Sequence, residues 1–479
     1  MAPEDPQLTT FDTNRAGLVS TTVPVYVAEL SPPEIRGKLV TLNTCFYTGG
    51  QFVAGIIAGA FAEDKSSGWR LMLGLAAVPS FIQFFGLLTI PESPRWLVAQ
   101  GRYQEALKVL KNLREKNTNV EEEFDGIKTN CLETEREVTA KGTTPVFLQI
   151  IRNPAVKRAL TVGCLLQLTQ QLVGTSIVMY YSVPVIKMNG ISEKSTVIWI
   201  STGTAAVIFF CSFIGLFVVE KVGRRPLTLF SLAGVAVSLG TLAVGFQLVD
   251  IHSPQIDVSG TVGSDNACSS YSMCSKCVND LNCGYCFFNL PSGPSNGSCL
   301  LAGPDKPDIS TAGLCNGSVL EGPLTWAYEW CPSDHSWIIL LGLVLHIMCF
   351  APGMSSTPWT VNAEIYPLWA RSTCYSIATS VNWLGNLFVS MTFLNFVELV
   401  TKYGTFWFYT SFAILGWIYF FLMLPETKGR LLEDVEGLFT YPWWQDATTA
   451  DEEKTVQYVH IRGINQAINL DDQDSEDES

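Results

Sequence analysis

The chain is written as long apolar blocks separated by short polar turns. Stretches almost free of charge run over about 39–61, 70–90, 159–186, 196–219, 226–249, 337–361, 372–397 and 404–424. Each reaches the roughly 20 residues that a helix needs to cross a bilayer. None carries the charged stripe that an amphipathic helix shows on a soluble domain. A ninth apolar run, "AGLVSTTVPVYVA" (16–28), contains Pro24 and is too short to cross alone. The pattern predicts an all-α multi-pass membrane protein of about nine helices in a lipid bilayer. Residues 1–15 are polar with no apolar core, so they do not read as a signal peptide.

Charge orients these blocks. Arg36, Lys38, the loop 91–158, Lys221, Arg224, Arg225, Arg371 and the tail 428–479 hold most of the 30 Lys and Arg and fall on one side. By the positive-inside rule that side is cytoplasmic. The opposite side receives 62–69, 187–195, 250–336 and 398–403. The net charge of −14 comes largely from the tail, which ends "DDQDSEDES" and reads as a solvated acidic segment. No nucleic-acid partner is expected. No nucleophile–base pair and no cytoplasmic metal-ligand set points to an enzyme or to a bound cofactor.

Eight of the 14 cysteines lie between 268 and 331: Cys268, Cys274, Cys277, Cys283, Cys286, Cys299, Cys315 and Cys331. The C-x2-C pairs Cys274/Cys277 and Cys283/Cys286 have zinc-ligand spacing. The loop is expected outside the cell, however, where thiols oxidise and an even eight suits four disulfides. The connectivity is open. Asn296 and Asn316 head N-G-S glycosylation sequons in the same loop, consistent with that side.

One polar hinge occurs twice. "AELSPPEIR" and "AEIYPLWAR" both read A-E-[LI]-x-P-x-x-x-R, placing Glu29 and Arg36, then Glu364 and Arg371, seven apart. A second echo follows each copy: "PES" with Glu92 and Arg95, and "PET" with Glu426. Between the second and third blocks of the second half stands "VEKVGRRP", with Glu220, Arg224 and Arg225. Repeated charged turns at one membrane face suggest ion-paired latches of a two-lobed protein. The second copy has three blocks ahead of its hinge triplet and the first has none. The expected architecture is therefore six plus six helices, N-terminally incomplete.

These motifs, with "GWRLMLGLAAVPS", "LTQQLVG", "VEKVGRRPL", "PWTVNAEIYPLWARS", "NWLGN" and "PETKGR", are similar to those of the sugar-porter branch of the major facilitator superfamily, over about 17–440. The cysteine-rich insert narrows the resemblance to animal polyol carriers whose ectodomain resembles a plexin–semaphorin–integrin module. What the resemblance implies is proton-coupled uptake of a small neutral cyclic polyol, myo-inositol above others, at the plasma membrane by alternating access. A facilitative hexose or polyol carrier is the alternative, as is a non-transporting form associated with a full-length homologous partner. The implied organisation is a tail (1–15), part of a first lobe (16–90), a cytoplasmic helical linker (91–158), a second lobe in two parts (159–249 and 337–427) around the insert (250–336), and an acidic cytoplasmic tail (428–479).

A polyol offers hydroxyls and C–H faces, so its site needs amides and aromatic surface but no formal charge. Gln167, Gln170, Gln171 and Gly174 recur at i, i+3, i+4 and i+7 on one helix face. Asn382 and Asn386 share another, with Trp383 beside them. Pro352, Gly353 and Pro358 interrupt a block just before Trp359, the kind of break that lines midplane sites. By the resemblance, Gln170, Gln171, Asn382 and Trp383 fall on sugar-contact positions. Thr44, Ser176 and Ile208 stand where amides are usual. The family's coupling pair, an aspartate in the first helix and an arginine early in the fourth, has no counterpart here. His346 is the titratable side chain left within the long blocks, and by residue type it reads first as a packing or hydrogen-bonding group.

Overall fold

The computed structural model describes residues 20–32, 35–62, 64, 67–114, 120–140, 145–174, 194–256, 267–280, 282–290, 293–294, 297–303, 309–311, 315, 324–328, 330–367, 369–429 and 439. Ser176, Asn296, Asn316, the polar N-terminal stretch and the acidic tail beyond 439 lie outside these residues. The first half comprises α1 (20–30), α2 (Arg36–Phe61), α3 (Gly68–Leu75) and α4 (Ala77–Leu87). The basic linker folds into α5 (Pro94–Ala99), α6 (Tyr103–Leu113) and α7 (Val120–Ala140), and α8 (Val146–Arg152) leads into the second half. That half holds α9 (Pro154–Leu172), α10 (Lys194–Val222) and α11 (Arg224–Ile251). After the insert come α13 (Ser336–Phe350), α14 (Thr357–Glu364), α15 (Arg371–Val400) and α16 (Lys402–Met423). Five of these segments are long and apolar enough to cross a membrane, with α3 and α4 counted as one.

Local chemistry sets the boundaries. Asn153 accepts from the N–H groups of Ala155 and Val156 at 3.0 and 3.4 Å, and Pro154 follows it, so α9 opens on a side-chain cap and a preset φ. The 70–90 block, expected as one helix, is broken at Ala76. Pro79 explains the break: it offers no N–H to the carbonyl of Leu75, four residues back, and its ring crowds that carbonyl. The 337–361 block is interrupted as expected, over 351–356. The helix restarts earlier than its prolines suggested, because Pro358 sits in the first turn of α14, where a missing N–H costs nothing.

Packing pairs α2 with α10, α9 with α15, and α11 with both α13 and α16. One apolar core runs through the second half into the insert. The linker has its own small core, in which Leu97, Val98, Ala106 and Leu110 are buried against Val120 and Ile127. Arg114 donates to both carboxylate oxygens of Glu123 at 2.8 and 2.7 Å and to the carbonyl of Leu30 at 3.0 Å, which ties this bundle to the end of α1.

The insert is built on β1 (Cys283–Leu290), which pairs antiparallel with β3 (Ser298–Leu301) and β4 (Leu324–Ala327) and forms a short hairpin with β2 (Gly293–Pro294). A one-turn helix, α12 (Cys274–Cys277), precedes it. All eight cysteines pair: Cys268–Cys283, Cys274–Cys331, Cys277–Cys299 and Cys286–Cys315. The zinc spacing is thereby accounted for, since each candidate ligand is spent in a disulfide. Cys274–Cys331 closes 57 residues and joins the segment entering the insert to the segment leaving it. Replacing both by serine is expected to remove about 4 kcal/mol from the insert's stability, through the loop-closure entropy regained on unfolding. A fall in the insert's unfolding temperature, followed by protease susceptibility, measures it. Unchanged resistance would contradict the estimate.

Candidate functional site

The predicted glutamines and asparagines meet between α9 and α15. Asn382 donates to the side-chain oxygens of Gln167 and Gln170 at 2.7 and 2.9 Å. It accepts from Gln171 Nε2 at 3.0 Å, and Asn386 donates to Gln171 Oε1 at 3.0 Å. Gly385 allows this approach, because a Cβ there would lie 3.2 Å from Leu168 and 3.5 Å from Gln171. The five amides thus form one continuous network with no formal charge.

Their remaining capacity differs. Gln170 Nε2 gives both protons to the backbone of the helix break, at the carbonyls of Met354 (2.8 Å) and Ser355 (2.9 Å). Gln170 therefore acts here as scaffold, satisfying backbone groups freed between α13 and α14. Ser231 does the same from α11, accepting from Met354 N at 2.9 Å and donating to the Cys349 carbonyl at 2.7 Å. Gln167 is fully buried, and its Nε2 has no hydrogen-bond partner among the described residues. A buried donor left unmade is costly, so Gln167 offers a ready contact for a hydroxyl.

The other residues singled out by the sequence fall on α2, α10, α13, α14 and α15. Trp383 donates from Nε1 to Ser20 Oγ at 3.2 Å, joining α15 to α1 across the two halves. Trp359 is half-buried on α14 against the main core. Thr44 is buried on α2, and Thr41 on the same helix lies 3.5 Å from Thr360 on α14, oxygen to oxygen. Ile208 is buried on α10 and adds only apolar surface. His346 is fully buried, with Nδ1 3.1 Å from Ser238 Oγ and its ring stacked on Phe350.

At the basic end, the hinge glutamates close onto the P-E-[ST] echoes. Ser93 donates to Glu29 at 2.6 Å, and Thr427 donates to Glu364 at 2.6 Å. The two echoes in sequence are thus the same side-chain bond made once in each half. In both copies the arginine opens the next helix, Arg36 in α2 and Arg371 in α15, and both are buried. Arg371 donates from Nε and Nη2 to the Tyr366 carbonyl at 3.2 Å each. Glu364 takes its ion pair from elsewhere. Arg224, 1% exposed, reaches Glu364 at 3.0 and 3.2 Å and Glu220 at 2.8 and 3.1 Å.

Glu426 accepts from the backbone N–H groups of Arg224 and Arg225, 3.0 Å each, and caps the start of α11. Gly223, at φ 101°, makes this possible, since a Cβ there would meet Glu426 at 2.6 Å. Arg225 donates to the Phe421 carbonyl at 2.9 Å and lies over the Phe421 ring. Contact between halves is close at this end. Lys38 N donates to Glu220 at 3.2 Å, and a Cβ on Gly37 would come within 2.4 Å of Arg224 and 2.6 Å of Glu220. Glu92 is exposed beside Pro91, whose carbonyl accepts from Tyr26 at 2.5 Å, and Arg95 lies half-buried in α5.

Residue patterns did not single out Thr427, Ser93, Gly37 or Gly223. The signal for the first two was present in the matched "PES" and "PET", whose hydroxyl residue differs only by a methyl. The glycines matter through close approach, which no local pattern encodes.

A multi-pass helical chain with an uncharged amide network between two helices of its second half and a buried ion-paired cluster at its basic end has the make-up of a solute carrier. A family model described as sugar (and other) transporter matches residues 15–263 and 309–439, and its gap falls within the disulfide-rich insert. The chain is 44% identical over 466 residues to the proton myo-inositol cotransporter of Homo sapiens, covering 96% of this chain and 71% of the relative. It is 36% identical over 436 residues to probable inositol transporter 2 of Arabidopsis thaliana, covering 88% and 72%. Its fold matches that of the proton:xylose symporter XylE bound to 6-bromo-6-deoxy-D-glucose, with a TM-score of 0.62 at 22% identity over 88% of this chain and 71% of that one. The chain belongs to the sugar transporter family of the major facilitator superfamily, a family of carriers and not of enzymes.

Proposed function

We propose that this chain carries out proton-coupled uptake of myo-inositol at the plasma membrane by alternating access, without a bound cofactor. The observation that carries the reading is the five-amide network of Gln167, Gln170, Gln171, Asn382 and Asn386. It offers donors and acceptors to a ring of hydroxyls with no charge to favour an acid or an amine. Gln167, Gln171 and Asn386 would meet substrate hydroxyls, and Trp359 and Trp383 would cover its C–H faces. Thr44 would line the first-half wall, and Ser176 is kept as a substrate contact by residue type. Relatives named for inositol on this same framework support the substrate class.

The hinges, the linker and the acidic tail are assigned to the cytoplasm, and the insert with Asn296 and Asn316 to the outside. The eight long apolar blocks would cross the bilayer, with 16–28 as the ninth helix. Glu29, Arg36, Glu92, Arg95, Glu220, Arg224, Arg225, Glu364, Arg371 and Glu426 would latch the cytoplasmic end while the site faces outward. Lobes rocking about the site would break the contacts of Gly37 and Lys38 with Glu220 and Arg224.

Uptake of labelled myo-inositol into cells expressing the chain tests this. Uptake is expected to accelerate when the outside is acidified and to fall when a protonophore collapses the gradient. Uptake indifferent to pH and competed by glucose would select a facilitative carrier instead. No uptake despite surface expression would overturn the transport reading, and recovery on co-expressing a full-length homologue would point to a partner.

A further inference from the structure

The last helix of the linker keeps an apolar side outside the protein. α8 carries "VFLQIIR" over seven residues. Ile150 is fully buried and belongs to the same core as Val156. Phe147, Leu148 and Ile151 are 55%, 43% and 48% exposed. At about 100° per residue, these three and Arg152 share an arc of roughly 140°. α8 is thus apolar toward the core and apolar again on an exposed arc, with a cation at the edge of that arc.

α8 stands at the foot of the 159–186 apolar block. It packs on α9, and Asn153 alone separates the two helices. The extended ψ of 113° at Asn153 ends α8, and the Asn153 side chain caps α9. Lys157 and Arg158 follow in α9, both exposed. The first turn of α9 has no acidic residue. A cation near a helix N-terminus opposes the dipole, so the helix itself gives no reason for either one. Arg158 is used within the chain, donating to the Phe439 carbonyl at 3.2 Å. Arg152 and Lys157 are exposed on either side of the Asn153 turn.

An apolar arc edged by cations calls for an occupant that is itself amphiphilic. An inorganic anion meets only the cations and leaves the apolar side chains in water. A lipid surface meets both, because acyl chains take Phe147, Leu148 and Ile151 while headgroup phosphates take the cations. Position agrees, since α9 enters its apolar block directly from this end. The rest of the linker differs: α5, α6 and α7 bury their apolar residues in a core of their own.

We propose that α8 lies in the interface of the cytoplasmic leaflet, where Arg152 and Lys157 bind the phosphate of an anionic phospholipid. The assignment rests on the sidedness proposed above and not on the transport reading. The apolar arc enters the boundary between headgroups and acyl chains by about 5–10 Å. α9, which carries Gln167, Gln170 and Gln171, thereby gains an anchor at its N-terminal end. Each Lys or Arg near an anionic surface strengthens the attraction about fivefold.

The test uses the purified full chain in phosphatidylcholine nanodiscs that carry a trace of photoreactive phosphatidylserine. After illumination, peptide mapping is expected to place the adducts mainly on residues 145–158. Unlabelled phosphatidylserine should compete them away, and inorganic phosphate should not. Arg152→Gln and Lys157→Gln should each lower the yield about fivefold, and the double variant about 25-fold, at an unchanged unfolding temperature. If the double variant is unstable, Arg152→Lys with Lys157→Arg keeps both charges and must keep the adducts. Adducts spread evenly over the chain, or undiminished in the double variant, overturn the proposal. So does equal competition by inorganic phosphate, which would mark an anion site in water. Oxidation of Phe147 by hydroxyl radicals as fast in nanodiscs as in the denatured chain also overturns it, and would leave α8 as a surface for a cytosolic protein.

Discussion

Asn382→Asp is expected to lower myo-inositol uptake by at least about a hundredfold while the protein still reaches the cell surface. Asn382 is 2% exposed, and its Nδ2 supplies protons to two glutamine oxygens at once. A carboxylate in its place would turn two hydrogen bonds into contacts between acceptors and bury a charge with no cation opposite. Leaving buried groups unsatisfied costs about 1–3 kcal/mol each, and a charge costs more. Two such groups in the substrate-bound state already correspond to roughly a hundredfold, at about 1.4 kcal/mol per factor of ten. Initial uptake rates normalised to surface-labelled protein measure the effect. Gln170→Ala should also lower uptake, by letting go of the Met354 and Ser355 carbonyls, whereas Gln167→Ala should raise KM with less effect on expression. Near-normal uptake by Asn382→Asp would remove this network from the substrate site.

The second large effect is expected at the other end. Arg224→Ala strips the guanidinium that bridges Glu220 and Glu364 and leaves both carboxylates without that partner in a buried place. Breaking a buried ion pair by removing one partner costs about 3–5 kcal/mol. Part of that penalty is relieved when the cytoplasmic end opens and water reaches the carboxylates, so the variant should favour the inward-facing state. Cys374, fully buried one turn into α15, reports the change. In inside-out vesicles it should react faster with an impermeant thiol reagent in the variant, while uptake falls. Arg224→Lys keeps the charge but not the two-sided fork, so it should rescue only in part. Equal labelling in wild type and variant would mean that the network is a fixed part of the second half and not a latch.

These two regions were legible in the sequence to different depths. The amide spacing on α9 and α15 marked the network by residue type, because three amides on one apolar span and two on another stand out against the surrounding apolar residues. It did not rank them. Gln170 and Gln167 look alike in the sequence, yet one spends its N–H groups on a helix break and the other keeps a free donor. That difference depends on where Met354 and Ser355 lie, 184 and 185 residues further along the chain.

The hinge repeats were visible as letters and suggested ion-paired latches at one membrane face, without naming which charge pairs with which. The structure gives Glu364 to Arg224 and Thr427, and aims Arg371 at the Tyr366 carbonyl. Spacing along a chain fixes which groups lie at one membrane face, but the partner of a charge is set by which helix ends converge there.

The sequence by itself determined the membrane-spanning character, the clustering of the charges between the apolar blocks and the cysteine set of the insert. All of these follow from local composition, because the bilayer sorts residues by polarity whatever their partners. Tertiary structure alone decided the disulfide connectivity, the hydroxyl bonds that unite the two echoes and the pairing of Arg224 with Glu364. Each is a contact between residues distant in the chain, and such contacts exist only once the helices have packed.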